Sequence, residues 1–181
     1  LMDRPINADS LWVKNGILKN QQGITDQNEL DQIEEKIVKQ KLAQIKIKEF
    51  NKNSLINLHK SLYEDLYNFA GKLRNENVVY NDIMACQYEI IDMCLTDLFN
   101  ADYSNVDFTK TFTYLLSELY IILPFRDGNR ETINKFLEDY AESKGYKVLI
   151  PQNIKKEIKA AYYGDISKLY NIISSQIEPT K

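Results

Sequence analysis

The residues with the clearest chemical potential lie in one short stretch, "LPFRDGNRE" at 123–131. A proline ends an apolar run, Asp127-Gly128-Asn129 forms an acid–Gly–Asn turn, and a helix is expected to follow. The first turn of a helix leaves backbone N–H groups unpaired and carries partial positive charge, so an anion such as phosphate can bind there. Gly128 would let the backbone approach that anion, and Asp127 could hold a Mg²⁺ ion that contacts it. On these residues alone, an ordinary helix–turn–helix connection capped by Asn129 stays open as the alternative.

Two predicted helices position this turn. Asp107 caps the first helix, and Pro124 ends it. The second helix follows the turn and closes at Gly145. Its inward positions are expected to be Ile133, Phe136, Leu137 and Tyr140.

The remaining helices follow from caps and apolar spacing. Asp26, with Glu29 three residues later, predicts the start of a long charged helix that runs to Phe50. Ser54 is expected to cap the next helix, which stops at Ala70-Gly71. Helix returns at 85–99, and two shorter helices are predicted at 154–163 and 166–177.

One segment breaks the helical period. The sequence "NENVVYND" at 75–82 places Val78, Val79 and Tyr80 between turn-forming residues, which predicts a short hairpin. The fold class is therefore all-α, a helical bundle with a small β-hairpin flap. Residues 1–181 are expected to form a single domain, with an N-terminal helical extension (1–50) and C-terminal helices (151–181).

Composition narrows the choice of partners. A net charge of −3 and a pI of about 5.3 leave no basic excess, so nucleic acid is not an expected partner. The apolar run at 114–125 is too short and too interrupted to cross a bilayer, and no secretory signal pattern begins the chain, so we expect no membrane partner and a cytoplasmic location. Cys86 and Cys94 fit no zinc pattern and are expected to be reduced, mostly buried thiols.

Three blocks of this sequence, in order, resemble the Fic family. The segment "LPFRDGNRETINKFLEDYAESKGY" at 123–146 is similar to the family pattern His-Pro-Phe-x-Asp/Glu-Gly-Asn-Gly-Arg-x-x-Arg. Its matching residues are Pro124, Phe125, Asp127, Gly128 and Asn129. The segment "LHKSLYEDLYNFAGKLR" at 58–74 resembles the family helix that ends in Trp-Ala-Gly-x-x-Arg, and "GITDQNELDQIEEKIV" at 23–38 resembles its N-terminal helix.

The resemblance implies a protein adenylyltransferase, which moves AMP from ATP to a Tyr, Thr or Ser hydroxyl of a target protein. It implies that a motif histidine takes the hydroxyl proton, that Asp127 binds Mg²⁺, and that Gly128, Asn129 and Arg130 hold phosphate. The hairpin at 78–80 would be the flap that pairs with the target segment as an added strand. The implied cofactors are Mg²⁺ and ATP. The implied partners are a nucleotide and an unidentified protein target or regulatory partner, and a homo-oligomer is common in the family.

This sequence departs from the pattern at four demanding positions. Leu123 stands at the histidine position, so no catalytic residue of the motif is retained. Arg130 replaces the second Gly, and Glu131 and Asn134 replace the two Arg. The chain's only histidine, His59, lies in the 58–74 block and is not expected to replace the base.

A second motif lies near the C-terminus. Some family members carry an inhibitory helix reading Ser/Thr-x-x-x-Glu-Gly/Asn, and Ser174 and Glu178 fit that spacing. In those members the glutamate pairs with the second motif arginine, which is Asn134 here. An inhibitory helix and a plain solvated helix end are therefore both open.

The sequence predicts a protein related to the adenylyltransferases whose transfer activity is weak or lost. Two alternatives remain: an active nucleotidyl- or phosphoryl-type transferase with an altered donor, and a non-catalytic regulatory or protein-binding module.

Overall fold

A computed structural model describes residues 3–180 and shows a helical bundle with short antiparallel strand pairs. The helices of these residues are α1 (Gln27–Gln44), α2 (Lys52–Tyr63), α3 (Ile91–Asn100), α4 (Phe108–Ile122), α5 (Asn129–Ser143), α6 (Lys155–Tyr162) and α7 (Ser167–Gln176). The strands are β1 (Val13–Lys14), β2 (Ile17–Leu18), β3 (Val79–Tyr80), β4 (Ile83–Met84), β5 (Tyr146–Val148) and β6 (Ile177–Pro179). The predicted all-α class with a small flap is confirmed.

Helices α4 and α5 form the centre of the bundle. α5 packs against α2 and α4, and α4 also contacts α3, α6 and α7. Burial of the apolar faces is the main stabilising term for such a core. The fully buried side chains include Leu55, Leu62, Phe112, Leu116, Ile133, Phe136 and Leu137. Among residues 3–180, no helix combines the length and the apolarity that crossing a bilayer requires.

Two predicted helix starts are confirmed and a third is wrong by three residues. The Asp26 side chain accepts a hydrogen bond from Glu29 N, and Asp107 accepts one from Lys110 N. The cap of α2 is Asn51 rather than Ser54. Ser54 is the third residue of that helix, and the two side chains form a reciprocal capping box.

Two predicted helix ends are also wrong. α1 ends at Gln44 rather than Phe50, because the chain turns extended at Ile45 and Ile47 N donates to Asp139 Oδ2 on α5. α2 ends at Tyr63, and the backbone reaches Gly71 through successive turns instead of a continuous helix.

The predicted hairpin is present as β3 and β4. Val79 pairs with Met84 and Tyr80 with Ile83, while Val78 precedes the first strand. Asn81 and Asp82 both have positive φ, as a two-residue type I′ turn requires. Two further strand pairs, β1–β2 and β5–β6, were not predicted.

Ser174 and Glu178, the two residues of the possible inhibitory helix, do not share one helix. α7 ends at Gln176, and Glu178 lies in β6, where it pairs with Lys147 of β5. A residue before proline is biased away from the helical region, and Pro179 follows Glu178. β5 follows the C-terminal end of α5, so Glu178 lies about 20 Å, the length of that helix, from the turn at 127–129.

The two cysteines are free thiols that are partly rather than mostly buried. Cys86 lies beyond β4 and outside a helix, whereas Cys94 lies on α3. The two cysteines therefore lie in different elements, and their Sγ atoms are 3.8 Å apart.

Gly128 connects α4 to α5 in a conformation that other residues rarely adopt. Its φ is +77°, and a Cβ added there would overlap the Tyr63 ring. Gly16 has the same φ but meets no atom within 4 Å of an added Cβ. The two positions thus share a backbone conformation and differ in surroundings.

We expect Gly128→Ala to lower the free energy of unfolding by roughly 2–4 kcal/mol, because left-handed strain and overpacking act together. Gly16→Ala is the matched control and should lose only about 1 kcal/mol. Urea unfolding of the parent and both variants measures the difference. Equal losses in the two variants would show that the Tyr63 ring moves aside without lowering the free energy of unfolding.

Candidate functional site

The turn between α4 and α5 is tied together by its own side chains. Asn129 Oδ1 accepts from Phe125 N at 2.9 Å, and Asn129 Nδ2 donates to Phe125 O at 2.8 Å. Thr132 Oγ1 donates to Gly128 O at 2.7 Å. Asn129 therefore braces the loop, and both polar atoms of its side-chain amide are used in bonds to the Phe125 backbone.

His59 supports the loop from the α2 side. Its Nε2 donates to Asp127 O at 2.8 Å, its Nδ1 accepts from Gly71 N at 3.0 Å, and its ring stacks on Phe125 at 3.8 Å. Burial lowers the pKa of His59 to about 4. The imidazole is therefore neutral near pH 7 and uses both nitrogens in structural bonds, so it is not a replacement base.

Leu123, at the position expected for a base, is an apolar core residue. It lies just past α4 with φ +48°, and its side chain is 1% exposed. It packs with Val78 and Ala85 beneath the flap, and Tyr80 lies against the same cluster. The aliphatic side chain itself has no group that could accept a proton.

Asp127, the predicted metal ligand, is fully engaged. Its Oδ1 accepts from Gly128 N at 2.7 Å, and its Oδ2 accepts from Arg4 Nη1 at 2.9 Å. Arg4 Nη2 also binds Asp31 Oδ1 at 2.9 Å and Glu34 Oε2 at 2.8 Å. One arginine from the start of the chain thus joins three carboxylates.

Burial dominates the protonation of this cluster. It raises the pKa of Glu34 to about 7, and the nearby Asp127 charge adds to the effect. Burial also raises the pKa of Asp127, against the opposing influence of Arg4 and the Gly128 N–H. Tyr67 Oη donates to Glu34 Oε2 at 2.5 Å, which completes the network. These carboxylates need a cation beside them to stay charged.

The residues around Asp127 do not fit the implied Mg²⁺ in this arrangement. Magnesium needs free oxygen ligands in near-octahedral geometry, and both Asp127 oxygens already accept hydrogen bonds. Within residues 3–180, no group of three or more His, Cys, Asp or Glu side chains is arranged to hold a metal ion.

The predicted phosphate-binding Arg130 pairs with its neighbour. Its Nη2 donates to Glu131 Oε1 at 2.7 Å, and Tyr63 Oη approaches Glu131 Oε2 at 3.4 Å. Asn134 accepts from Tyr120 Oη at 2.8 Å. Glu131 thus brings a negative charge to the first turn of α5.

An open cleft lies between α1 and the first turn of α5. Carboxylates outnumber cations along its walls, so it does not attract a polyanion. Its charged lining is Asp3, Asp31, Glu34, Glu35, Lys39, Arg130 and Glu131.

The N-terminal segment was missed by sequence reasoning. Ile6 pairs with Val79 of the flap through two backbone hydrogen bonds of 2.8 Å. Arg126 Nη1 donates to Pro5 O at 3.0 Å, and Arg126 Nε binds Glu76 at 2.5 Å. The only signal in the sequence was an arginine at the variable position of the motif, and nothing local indicates its partners.

Comparison with known proteins finds a family and several relatives that are similar in sequence and fold. The model of the Fic/DOC family matches residues 49–138. The chain is 26% identical over 166 residues to protein adenylyltransferase VbhT of Bartonella schoenbuchensis, covering 83% of this chain and 35% of that protein. It is 25% identical over 176 residues to the probable protein adenylyltransferase Fic of Escherichia coli K12, covering 89% of this chain and 88% of that protein. The chain therefore spans about a third of the length of VbhT.

Solved structures share the fold at low identity. BepC of Bartonella tribocorum with bound AMPPNP has a TM-score of 0.78 at 19% identity, covering 94% of this chain and 97% of that one. The N-terminal Fic domain of a putative cell filamentation protein of Bartonella quintana with bound ADP has a TM-score of 0.78 at 18% identity, covering 94% and 95%.

The His59 environment predicts a pH-dependent stability. A histidine whose pKa falls from 6.5 to about 4 on folding contributes stability fully above pH 6.5, and that contribution is lost as pH falls toward 4. Relative to His59→Gln, the parent should lose about 3 kcal/mol of unfolding free energy across that range. Urea unfolding of both proteins at several pH values measures the difference.

The raised pKa of Glu34 acts in the opposite direction, since its contribution falls as pH rises toward about 7. It is present in both proteins and cancels in the comparison. Parallel stability curves for parent and variant would contradict a neutral, buried His59.

Proposed function

This chain belongs to the Fic/DOC family, and we propose that it keeps the family scaffold while its capacity to transfer AMP is lost or severely reduced. The observation that carries this proposal is the environment of Leu123, an aliphatic side chain sealed under the flap where the family pattern has its base.

The missing base affects the chemical step directly. A target hydroxyl must lose its proton as it attacks phosphorus, and a positioned base contributes roughly 10²–10⁴ in rate. His59 is neutral and bonded at both nitrogens, while Asp127 and Glu34 bind Arg4. None of these three groups is free to take over the role.

The phosphate side is weakened as well. An arginine–phosphate contact contributes about 1.5–3 kcal/mol, and the two arginine positions hold Glu131 and Asn134 here. Glu131 adds repulsion, and Arg130 is paired with it. We propose ATP as the nucleotide class, bound weakly, and derive no step through Mg²⁺.

The flap has the form that strand addition by a partner would use. The flap is a two-stranded hairpin, and its β3 edge already pairs with an extended segment at Val79. Strand addition of this kind gives affinity through main-chain hydrogen bonds. This observation favours a protein-binding role as the second candidate function, with a target protein or a regulatory protein as partner.

Labelled ATP distinguishes these functions. Incubation of the chain with labelled ATP, Mg²⁺ and a cell lysate should yield no labelled protein above the level of the Asp127→Ala variant. Because the scaffold and the flap remain, the same preparation should stay folded and monodisperse. Strong labelling that disappears in Asp127→Ala would overturn the proposal and restore an active transferase.

The charge at 131 should control nucleotide affinity. We expect Glu131→Arg to tighten ATP binding by roughly 10- to 100-fold, since one charge-assisted contact replaces one repulsion. Isothermal titration calorimetry measures the change.

Glu49→Arg carries the identical charge change on an exposed residue in the segment between α1 and α2. Its affinity for ATP should match that of the parent. The same gain in both variants would reveal a general charge effect and no phosphate site at the start of α5.

A further inference from the structure

Residues 3–7 run across the candidate site as an extended segment. Ile6 donates its N–H to Val79 O and accepts from Val79 N, each at 2.8 Å. Asn7 Nδ2 donates to Asn77 O at 2.7 Å, and Pro5 O accepts from Arg126. The flap edge is therefore already occupied by a strand from the same chain.

The same segment delivers a cation to Asp127. Arg4 Nη1 binds Asp127 at 2.9 Å, and its Nη2 binds Asp31 and Glu34. The side chain is only 13% exposed. A planar guanidinium with several fixed donors suits this convergence of carboxylates, which would otherwise repel one another.

One of these contacts lies at the flap edge, where the proposed partner segment would bind, and the other at the carboxylate that the family resemblance assigns to a metal ion. A target segment would add to the flap edge at Val79, and a nucleotide-bound cation would stand beside Asp127. One stretch of five residues fills both at once, and its Arg4 lies 123 positions from Asp127 in the sequence.

We propose that residues 3–7 act as a tethered plug, in which Ile6 holds the flap edge and Arg4 takes the cation position beside Asp127. The blocking role rests on the proposed function, whereas the contacts themselves do not. The site opens to a target strand only when this segment leaves.

Two kinds of contact hold the plug. Ile6 is 67% exposed and adds little apolar burial, whereas Pro5 is buried and Arg4 binds the buried carboxylates of Glu34 and Asp127. A partner that replaces the segment must offer main-chain pairing to Val79 and a positive charge to the carboxylates. An extended protein segment that carries an arginine or lysine meets both requirements.

Amide hydrogen exchange tests whether Arg4 holds the plug. In Arg4→Ala, the Val79 amide should exchange at least tenfold faster than in the parent, while the Leu116 amide in the core of α4 keeps its rate. Asp9→Ala, which removes a charge from an exposed residue further along the segment, is the matched control and should leave Val79 unchanged.

Faster exchange of the Leu116 amide in Arg4→Ala would mean that the whole fold is destabilised, and Ile6→Pro is then the variant to measure. Proline removes the N–H that donates to Val79 O and leaves the carboxylate cluster intact. Faster exchange at Val79 in that variant supports the plug. Unchanged protection of Val79 in both variants overturns it. This measurement uses no nucleotide, so its failure is separable from failure of the proposed function.

Paramagnetic Mn²⁺ tests the cation position. The ion should broaden the Gly128 amide signal in Arg4→Ala at concentrations that leave the parent unaffected, and Asp127→Asn in the same background should abolish the effect. Equal broadening in parent and Arg4→Ala, or none in either, would show that Arg4 does not stand in a cation's place.

Discussion

The arrangement of the site depends on one buried arginine, Arg74. Its Nε donates to Leu123 O at 2.7 Å, its Nη1 to Glu76 O at 3.0 Å, and its Nη2 to Ile122 O at 2.9 Å and to Cys86 O. These carbonyls belong to the end of α4 and to the two chain segments that flank the flap. Burial lowers the pKa of Arg74 to about 10, so the group stays charged at neutral pH, and the negative end of α4 favours that charge. The distance between flap and motif loop is therefore set by a cation with carbonyl partners, independently of any ligand.

The motif loop is held from two sides by different interactions, a neutral hydrogen bond with ring stacking on one side and an ion pair on the other. On the α2 side, a neutral His59 binds the Asp127 carbonyl and stacks on Phe125. On the other side, the charged Arg4 binds the Asp127 carboxylate. The first contact is buried, rigid and part of the folded core. The second comes from the extended segment at 3–7, so the backbone of Asp127 and its carboxylate are held by separate parts of the chain.

Much of this could be predicted from the sequence, because it is local. The caps Asp26 and Asp107, the stop before Pro124 and the hairpin around Val79 each follow from a few adjacent residues.

The missed features come from residues distant in sequence. No periodicity indicates that an arginine at position 4 meets an aspartate at position 127, or that Glu76 pairs with Arg126. The early end of α1 has the same origin, since a carboxylate on α5 captures the backbone at Ile47. The short strands β1 and β2 could have been predicted, because Asn15-Gly16 between them is a strong hairpin signal. Near the C-terminus, the spacing of Ser174 and Glu178 left two readings open, and Glu178 lies outside α7, where it precedes Pro179.

The conformation of Leu123 bears on what a Leu123→His substitution would cost the fold. A leucine at φ +48° is strained by about 1–2 kcal/mol, yet burial of its side chain under Val78 and Ala85 is worth about 2–5 kcal/mol, so packing outweighs strain. A histidine placed there would forfeit that packing and set a polar ring in an apolar pocket, while Glu131 still opposed the nucleotide. Leu123→His would thus lower the free energy of unfolding through lost packing and a buried polar ring. The buried leucine is therefore part of the packing that holds the flap against the end of α4, so residue 123 couples the position of the flap to the core.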